Sequence, residues 1–145
     1  MSELKGPLAS TGYWLKVAAL AYLRELDAAL RPFGLTNAQF AVLAGASWLA
    51  KDGTPPAQQQ VADFAGSDRM MTSKLLQGLE KRKLVKRVAS TADARVRQIE
   101  LTPAGRALVT SSTAAAREVD RRLFRTDMTL RDLLMTRVKE MATGS

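Results

Sequence analysis

Between positions 69 and 97 the chain gathers the side chains that could do chemistry, and that chemistry is recognition of a polyanion. With successive residues at about 100° on a helix, Arg69, Met70, Ser73, Lys74, Gln77 and Lys81 share one arc, with Glu80 among them. Met71, Leu75 and Leu79 span about 80° on the other side, with Leu76 on the flank, and are the expected buried face. Gly78, on that face, predicts close approach by a neighbouring helix. Lysine and arginine neutralise phosphates and can donate to guanine. Glutamine can pair with adenine in two places, and serine suits backbone or base. An ordinary solvated helix face would carry the same inventory.

A second group follows at Asp93-Ala-Arg95, with Arg97 close behind and Arg87 ahead. A short loop bearing an arginine can enter the narrow minor groove of a duplex, where the negative potential attracts a guanidinium. Asp93 could accept from the Arg95 fork and pre-orient it, or brace the loop. The alternative is a surface ion pair of little energetic value. Arg97 either supports the same contact or faces solvent.

Other chemistries are narrowed by what is missing. The 145 residues include no cysteine and no histidine. This removes disulfides, thiol switches, zinc sites of the usual kind, Ser-His and Cys-His nucleophiles, and histidine acid-base chemistry. The acidic residues are scattered and give no carboxylate pair inside an apolar cleft. The expectation is therefore no enzyme, no cofactor and no metal. The net charge of +8 is unevenly spread. Residues 1–65 are balanced, 66–102 hold nine basic against four acidic residues, and 103–145 hold eight against five. A basic centre suggests a surface that faces a polyanion. The apolar stretch Val17 to Leu23 is bracketed by Lys16 and Arg24 and is too short to span a bilayer, so no membrane partner and a cytoplasmic location are expected.

The elements that must position these groups can be read in order. Leu8, Leu15, Leu20, Leu23, Leu26 and Leu30 predict an amphipathic helix over 8–31, ended by Pro32 and Gly34. Thr36 and Gln39 form a capping box, with Leu35 and Phe40 at the staple positions, for a second helix that fades by Asp52-Gly53. A third helix runs roughly from Ala57 to Ala65, with no hydroxyl at its cap. Gly66 breaks it, and Ser67 or Asp68 caps a fourth that reaches about Lys83. Two helices this close, the second basic, suit a helix-turn-helix. Strands over 84–88 and 95–101 flank a turn at 90–94. Thr102-Pro103 restarts helix to about Phe124, and a last helix over about 129–142 aligns Leu130, Leu134, Val138 and Met141. The fold class expected is mainly α with a small β-hairpin.

Several of these segments resemble the MarR (multiple antibiotic resistance regulator) family. They are Leu35-Thr-Asn-Ala-Gln-Phe-Ala-Val-Leu43, Leu79-Glu-Lys-Arg-Lys-Leu-Val-Lys-Arg87, and Asp93-Ala-Arg95 followed after five residues by Leu101-Thr102-Pro-Ala-Gly105. The last is similar to the family's D-x-R-x5-L-T wing signature. The resemblance implies one domain over 1–145: a winged helix-turn-helix at about 36–102, with dimerisation helices at about 8–31 and 103–142. It further implies a transcription regulator of the repressor kind that binds a pseudo-palindromic duplex as a homodimer. A small aromatic or phenolic effector is a possible partner, and Tyr13, Trp14, Arg24 and Trp48 are candidates to line its cleft, though the hydrophobic core is the commoner place for such aromatics. The alternative is a winged helix turned protein-interaction module. This chain departs from the family pattern at Lys83, where glycine is usual, and at Met70 and Met71, where many members carry Ser and Thr. Met70 could then meet a thymine methyl.

Overall fold

Helix α1 (Thr11–Leu30) follows a 3-10 turn at Gly6–Ala9. The computed structural model describes residues 3–144. The helix begins three residues later than its leucine pattern predicts, because Ser10, in extended conformation, is the residue that caps it through the Tyr13 N–H at 3.2 Å. A 3-10 turn at Arg31–Phe33 and a left-handed Gly34 (φ +67°) end it where Pro32 and Gly34 are expected to.

Helix α2 (Asn37–Leu49) carries both halves of the predicted capping box. Gln39 N–H donates to Thr36 Oγ1 at 3.2 Å, and Thr36 N–H donates to Gln39 Oε1 at 2.9 Å. Helix α3 (Gln58–Ala65) has only half of such a box. Ala57 offers no side-chain acceptor, but its N–H donates to Gln60 Oε1 at 2.8 Å. Gly66, left-handed, turns the chain into α4 (Arg69–Lys81), which Asp68 rather than Ser67 caps through the Met71 N–H at 2.7 Å.

Strands β1 (Val85–Ala89) and β2 (Arg97–Leu101) form an antiparallel ladder pairing Val85 with Leu101 and Ala89 with Arg97. Arg95 and Val96 belong to the loop rather than to the second strand. Ser90 N–H donates to the Val96 carbonyl at 2.9 Å and Val96 N–H to the Asp93 carbonyl at 3.0 Å, so these amides close a turn instead of extending the ladder. The far side of β2 is also engaged. Ile99 N–H donates to the Pro56 carbonyl at 2.9 Å, and Ala57 bridges Gln98, which pins the start of α3 to the wing.

The core is one cluster that includes Leu26, Leu30, Val42, Leu43, Val61, Leu76, Leu79 and Ile99. It draws on α1, α2, α3, α4 and the hairpin, so the two inner helices and the wing share one hydrophobic body. Each such side chain contributes about 1.5–3 kcal/mol on full burial. Helix α5 (Pro103–Phe124) packs on α1 and α2, whereas α6 (Met128–Thr143) has no buried residue.

Two sequence expectations for α4 are corrected. Its buried side is Thr72, Leu76 and Leu79, with Leu75 half-buried, while Met71 is 49% exposed. The buried arc is thus turned by about 60° from the apolar one. The helix must meet α2, α3 and β1 together, and that places Thr72, which an apolar count omits, inside. Gly78 accommodates no close neighbour, since a Cβ built there would meet nothing within 4 Å.

Candidate nucleic-acid interface

The outer arc of α4 presents Arg69, Met70, Lys74, Gln77 and Lys81 to solvent, with Met70 72% exposed. Arginine and lysine at these positions share no ion pair with a carboxylate among the described residues. Their charge is therefore available to an external anion. Ser73 is placed differently. It is half-buried and faces the wing, where its Oγ accepts from the Arg87 guanidinium at 3.3 Å. Arg87 also donates through Nε to Glu80 Oε1 at 2.7 Å. Arg87, Glu80 and Ser73 thus tie the inner flank of α4 to β1. Because both charges are partly buried, the tie resists screening better than a surface pair would.

At the wing tip the loop is built around Asp93. Its Oδ1 accepts the Arg95 backbone N–H at 3.0 Å and the Arg95 Nε at 3.1 Å, and its Oδ2 accepts the second guanidinium nitrogen at 3.2 Å. The Asp93 carboxyl is held below the usual carboxylate range, first by the Arg95 side chain and then by its backbone N–H. Ser90 Oγ accepts from Ala92 and Asp93 N–H groups and holds the near side of the loop. The Arg95 side chain nevertheless remains 90% exposed. The fork is fixed in direction while its outer edge stays open, which is what a groove-inserted arginine requires. Arg97, at the first position of β2, is exposed and has no carboxylate partner among the described residues.

Two contacts missed by sequence reasoning connect this surface to the long helices. Arg82, just past α4, donates to the carbonyls of Gly34 at 2.7 Å and Phe33 at 3.2 Å. Asp27 on α1 accepts the Asn37 backbone N–H at 2.7 Å and its side-chain amide at 3.1 Å, reinforcing the start of α2. Their partners lie ten to forty-nine residues away in the chain, so no local spacing signals them.

Residues 32–120 match the ArnR1-like winged-helix domain family. The solved structure of a MarR-family transcriptional regulator from Rhodococcus sp. RHA1 is 26% identical, with 92% of this chain and 93% of that one covered at a TM-score of 0.78. The transcriptional repressor CouR, bound to a 23-mer DNA duplex, is 32% identical over 97% of this chain and 99% of its own, at a TM-score of 0.74. The chain belongs to the MarR family of winged-helix transcription regulators. CouR from Rhodococcus jostii RHA1 bound to p-coumaroyl-CoA superposes at a TM-score of 0.85, with 25% identity and 98% of each chain covered. Among curated proteins, the helix-turn-helix transcriptional regulator YdcH of Bacillus subtilis is 29% identical over 123 residues, covering 85% of this chain and 84% of its own.

Lys83, standing where glycine is usual, adopts φ +59°, the left-handed region that glycine enters most readily. Met70 and Met71 are both exposed at the start of α4. Of the four candidate effector residues, Tyr13 and Trp14 meet edge to face at 5.2 Å on α1. Trp14 also donates to the Leu8 carbonyl at 2.9 Å. Arg24 is exposed on the same helix, while Trp48 on α2 lies under the Lys51 ammonium at 4.7 Å. The structure pairs the first two and leaves Trp48 with a different neighbour. A cavity of about 300 Å³ at the α5–α6 corner is lined by others, among them Phe124, Leu130 and Leu134.

Proposed function

We propose that this protein represses transcription by binding a pseudo-palindromic duplex as a homodimer, and that a small organic molecule releases it. The observation that carries the reading is the basic arc of α4, which shares no ion pair among the described residues, set beside an exposed, carboxylate-oriented Arg95. Helix α4 would occupy a major groove while the 90–96 loop reaches the adjacent minor groove. Arg69, Met70, Lys74, Gln77 and Lys81 serve as the groove contacts, Arg95 and Arg97 as the wing contacts, with Asp93 orienting Arg95. Arg87 and Ser73 act from behind, fixing the wing against the helix.

Dimerisation is supported by apolar side chains that the single chain leaves uncovered. Leu133, Val138 and Met141 on α6 are 56%, 61% and 70% exposed, and Leu8, Leu15 and Leu20 near the other end of the sequence are also exposed. An apolar surface of this extent marks an interface. A two-fold dimer would set two recognition helices about one helical turn apart on DNA. CouR has been seen with both a DNA duplex and p-coumaroyl-CoA. By analogy an organic effector, aromatic in part, acts here, with Tyr13, Trp14, Arg24 and Trp48 as the residues to probe. No helix among the described residues is long and apolar enough to cross a membrane. Action on DNA in the cytoplasm is the location proposed.

The test is selection of bound sequences from a random duplex library, followed by salt-titrated binding. The expected product is a pseudo-palindrome with half-sites about ten base pairs apart. Affinity should fall with salt at a log-log slope of roughly −0.9 per phosphate contacted. Salt-sensitive binding with no enriched motif would leave a non-specific binder. No binding at low salt would overturn the reading in favour of a protein-interaction module.

A further inference from the structure

Between the first turn of α3, the N-terminal half of α4 and the start of β2 lies an open notch of about 340 Å³. Gln58, Gln59, Arg69, Thr72, Arg95 and Arg97 line it, together with small apolar residues and no carboxylate. Thr72 is fully buried, yet its Oγ1 has no hydrogen-bond partner, and Gln58 Oε1 is likewise buried and unpartnered. These are the two such side-chain atoms found among the described residues, and both belong to the walls of this one notch.

Neither is explained by the protein itself. A helical hydroxyl ordinarily returns to the carbonyl one turn back, as Thr110, Ser111 and Ser112 do in α5. Thr72 does not, and an unpaired buried hydroxyl is destabilising unless something else accepts from it. The Gln58 amide can present its nitrogen in place of its oxygen by a half-turn, which would make both floor groups donors. Gln58 and Gln59 also sit in the first turn of α3, where backbone N–H groups lack helical acceptors. Arg69 and Arg97 stand at the rim without carboxylate partners among the described residues. Each of these side chains and amides lining the notch is, or can become, a donor.

We propose that the notch is an oxyanion seat for one phosphate group, with Thr72 and Gln58 donating at its floor and Arg69 and Arg97 at its rim. Its most direct source rests on the DNA reading above. A strand that passes from the groove holding α4 to the groove holding Arg95 runs past the mouth of the notch, so a phosphodiester would occupy it. The phosphate of a small molecule has the same chemistry and is the other source.

The deciding variant is Thr72→Val, which keeps the shape and removes the hydroxyl. Because it replaces an unpaired polar group with a methyl, it should melt at or above the wild-type temperature. Against the selected operator it is expected to bind about tenfold more weakly. Methylphosphonate placed at each operator phosphate in turn should weaken the wild type at every contacted phosphate, and at one of these positions per half-site Thr72→Val should be weakened clearly less than the wild type. Arg97→Gln should lower the salt slope by about 1. In parallel, inorganic phosphate is compared with chloride at matched ionic strength in thermal melts of wild type and Thr72→Val. Unchanged operator binding with phosphate stabilising only the wild type would support the seat with a small-molecule source. Unchanged binding, no operator position at which the two proteins differ in sensitivity and no phosphate-dependent difference in melting would overturn it. Should the wild type bind no duplex, the DNA reading fails by itself and the phosphate melts alone decide the seat.

Discussion

The Thr102 hydroxyl donates to the backbone carbonyl of Lys83 at 2.7 Å, closing the turn by which α4 passes into the wing. The same oxygen lies 3.1 Å from the Leu84 carbonyl and accepts the Gly105 N–H at 3.0 Å. One hydroxyl therefore joins the turn between α4 and β1 to the start of α5. The Leu101-Thr102 half of the wing signature is the joint through which the wing is anchored to the long helix.

That joint holds Lys83 in the left-handed region, which a residue with a Cβ occupies at a cost. Lys83→Gly should raise stability by about 1 kcal/mol, net of the greater freedom glycine gains when unfolded. For a chain of this size the melting temperature should rise by about 3 °C. An unchanged or lower melting temperature would mean that the Lys83 side chain makes a compensating contact.

Gly105 belongs to the same joint for a steric reason. A Cβ there would lie 2.1 Å from the Leu84 carbonyl oxygen, a backbone atom that cannot move aside without opening the turn. Gly105→Ala is expected to cost about 3 kcal/mol and to loosen the wing. Chemical denaturation measures the loss, and a cost within error of zero would show that the α5 start yields easily.

These two positions also mark what could be read without a structure. Caps and turns were legible because their signals are local: Thr36 with Gln39, Gly66 before Asp68, and Thr102 before Pro103 each act within four residues. The Asp93–Arg95 fork was legible for the same reason. The Arg87–Glu80 tie, the Arg82 clamp on Gly34 and the Asp27–Asn37 bond join separate elements, and no spacing rule announces them. The buried face of α4 was misplaced because its inward side includes a threonine. Apolar periodicity cannot find a buried hydroxyl, yet that hydroxyl is the feature that singles out the notch.

For the wing, Arg95→Ala should weaken binding to most sequences alike, because the minor-groove code is degenerate, and should reduce the salt slope by about 1. Asp93→Asn should also weaken binding, although it removes a negative charge, because the fork loses one of its two acceptor oxygens and the amide nitrogen in its place cannot accept. The Asp93 carboxyl is depressed by Arg95, so its ordering of the loop is present above the ordinary aspartate value and is lost only as pH falls through the lower folded value. Binding should thus show no Asp93-linked change between about pH 6 and 8. Equal affinity of wild type and Arg95→Ala at moderate salt would remove the wing from the interface.

On α4, Gln77 is exposed and Ser73 is engaged by Arg87. Gln77→Ala should therefore change the base preferred at one position of each half-site, by about 1–3 kcal/mol of discrimination. Ser73→Ala should leave the selected motif intact and act, if at all, on affinity through the wing. Library selection with each variant separates the two. A motif shift with Ser73→Ala and none with Gln77→Ala would reverse the roles assigned to these faces.

The dimer is best tested on α6, because that helix contributes nothing to the core of its own chain. Leu133→Glu and Val138→Glu place charge on side chains that are already more than half exposed. A protomer standing alone would tolerate both, with circular dichroism and the fold of the winged helix unchanged. In a dimer built on this face the same charges would be buried against an apolar partner without compensation. Light scattering should then report a dimer for the wild type and a monomer for the variants. Operator affinity should fall by about a hundredfold or more, since the second half-site no longer binds as part of one molecule. A single half-site should be bound equally by both, because the surface formed by α4 and the wing is untouched. A wild type that is monomeric at micromolar concentration, or variants that remain dimeric, would move the interface away from α6 and leave its exposed apolar face without this explanation.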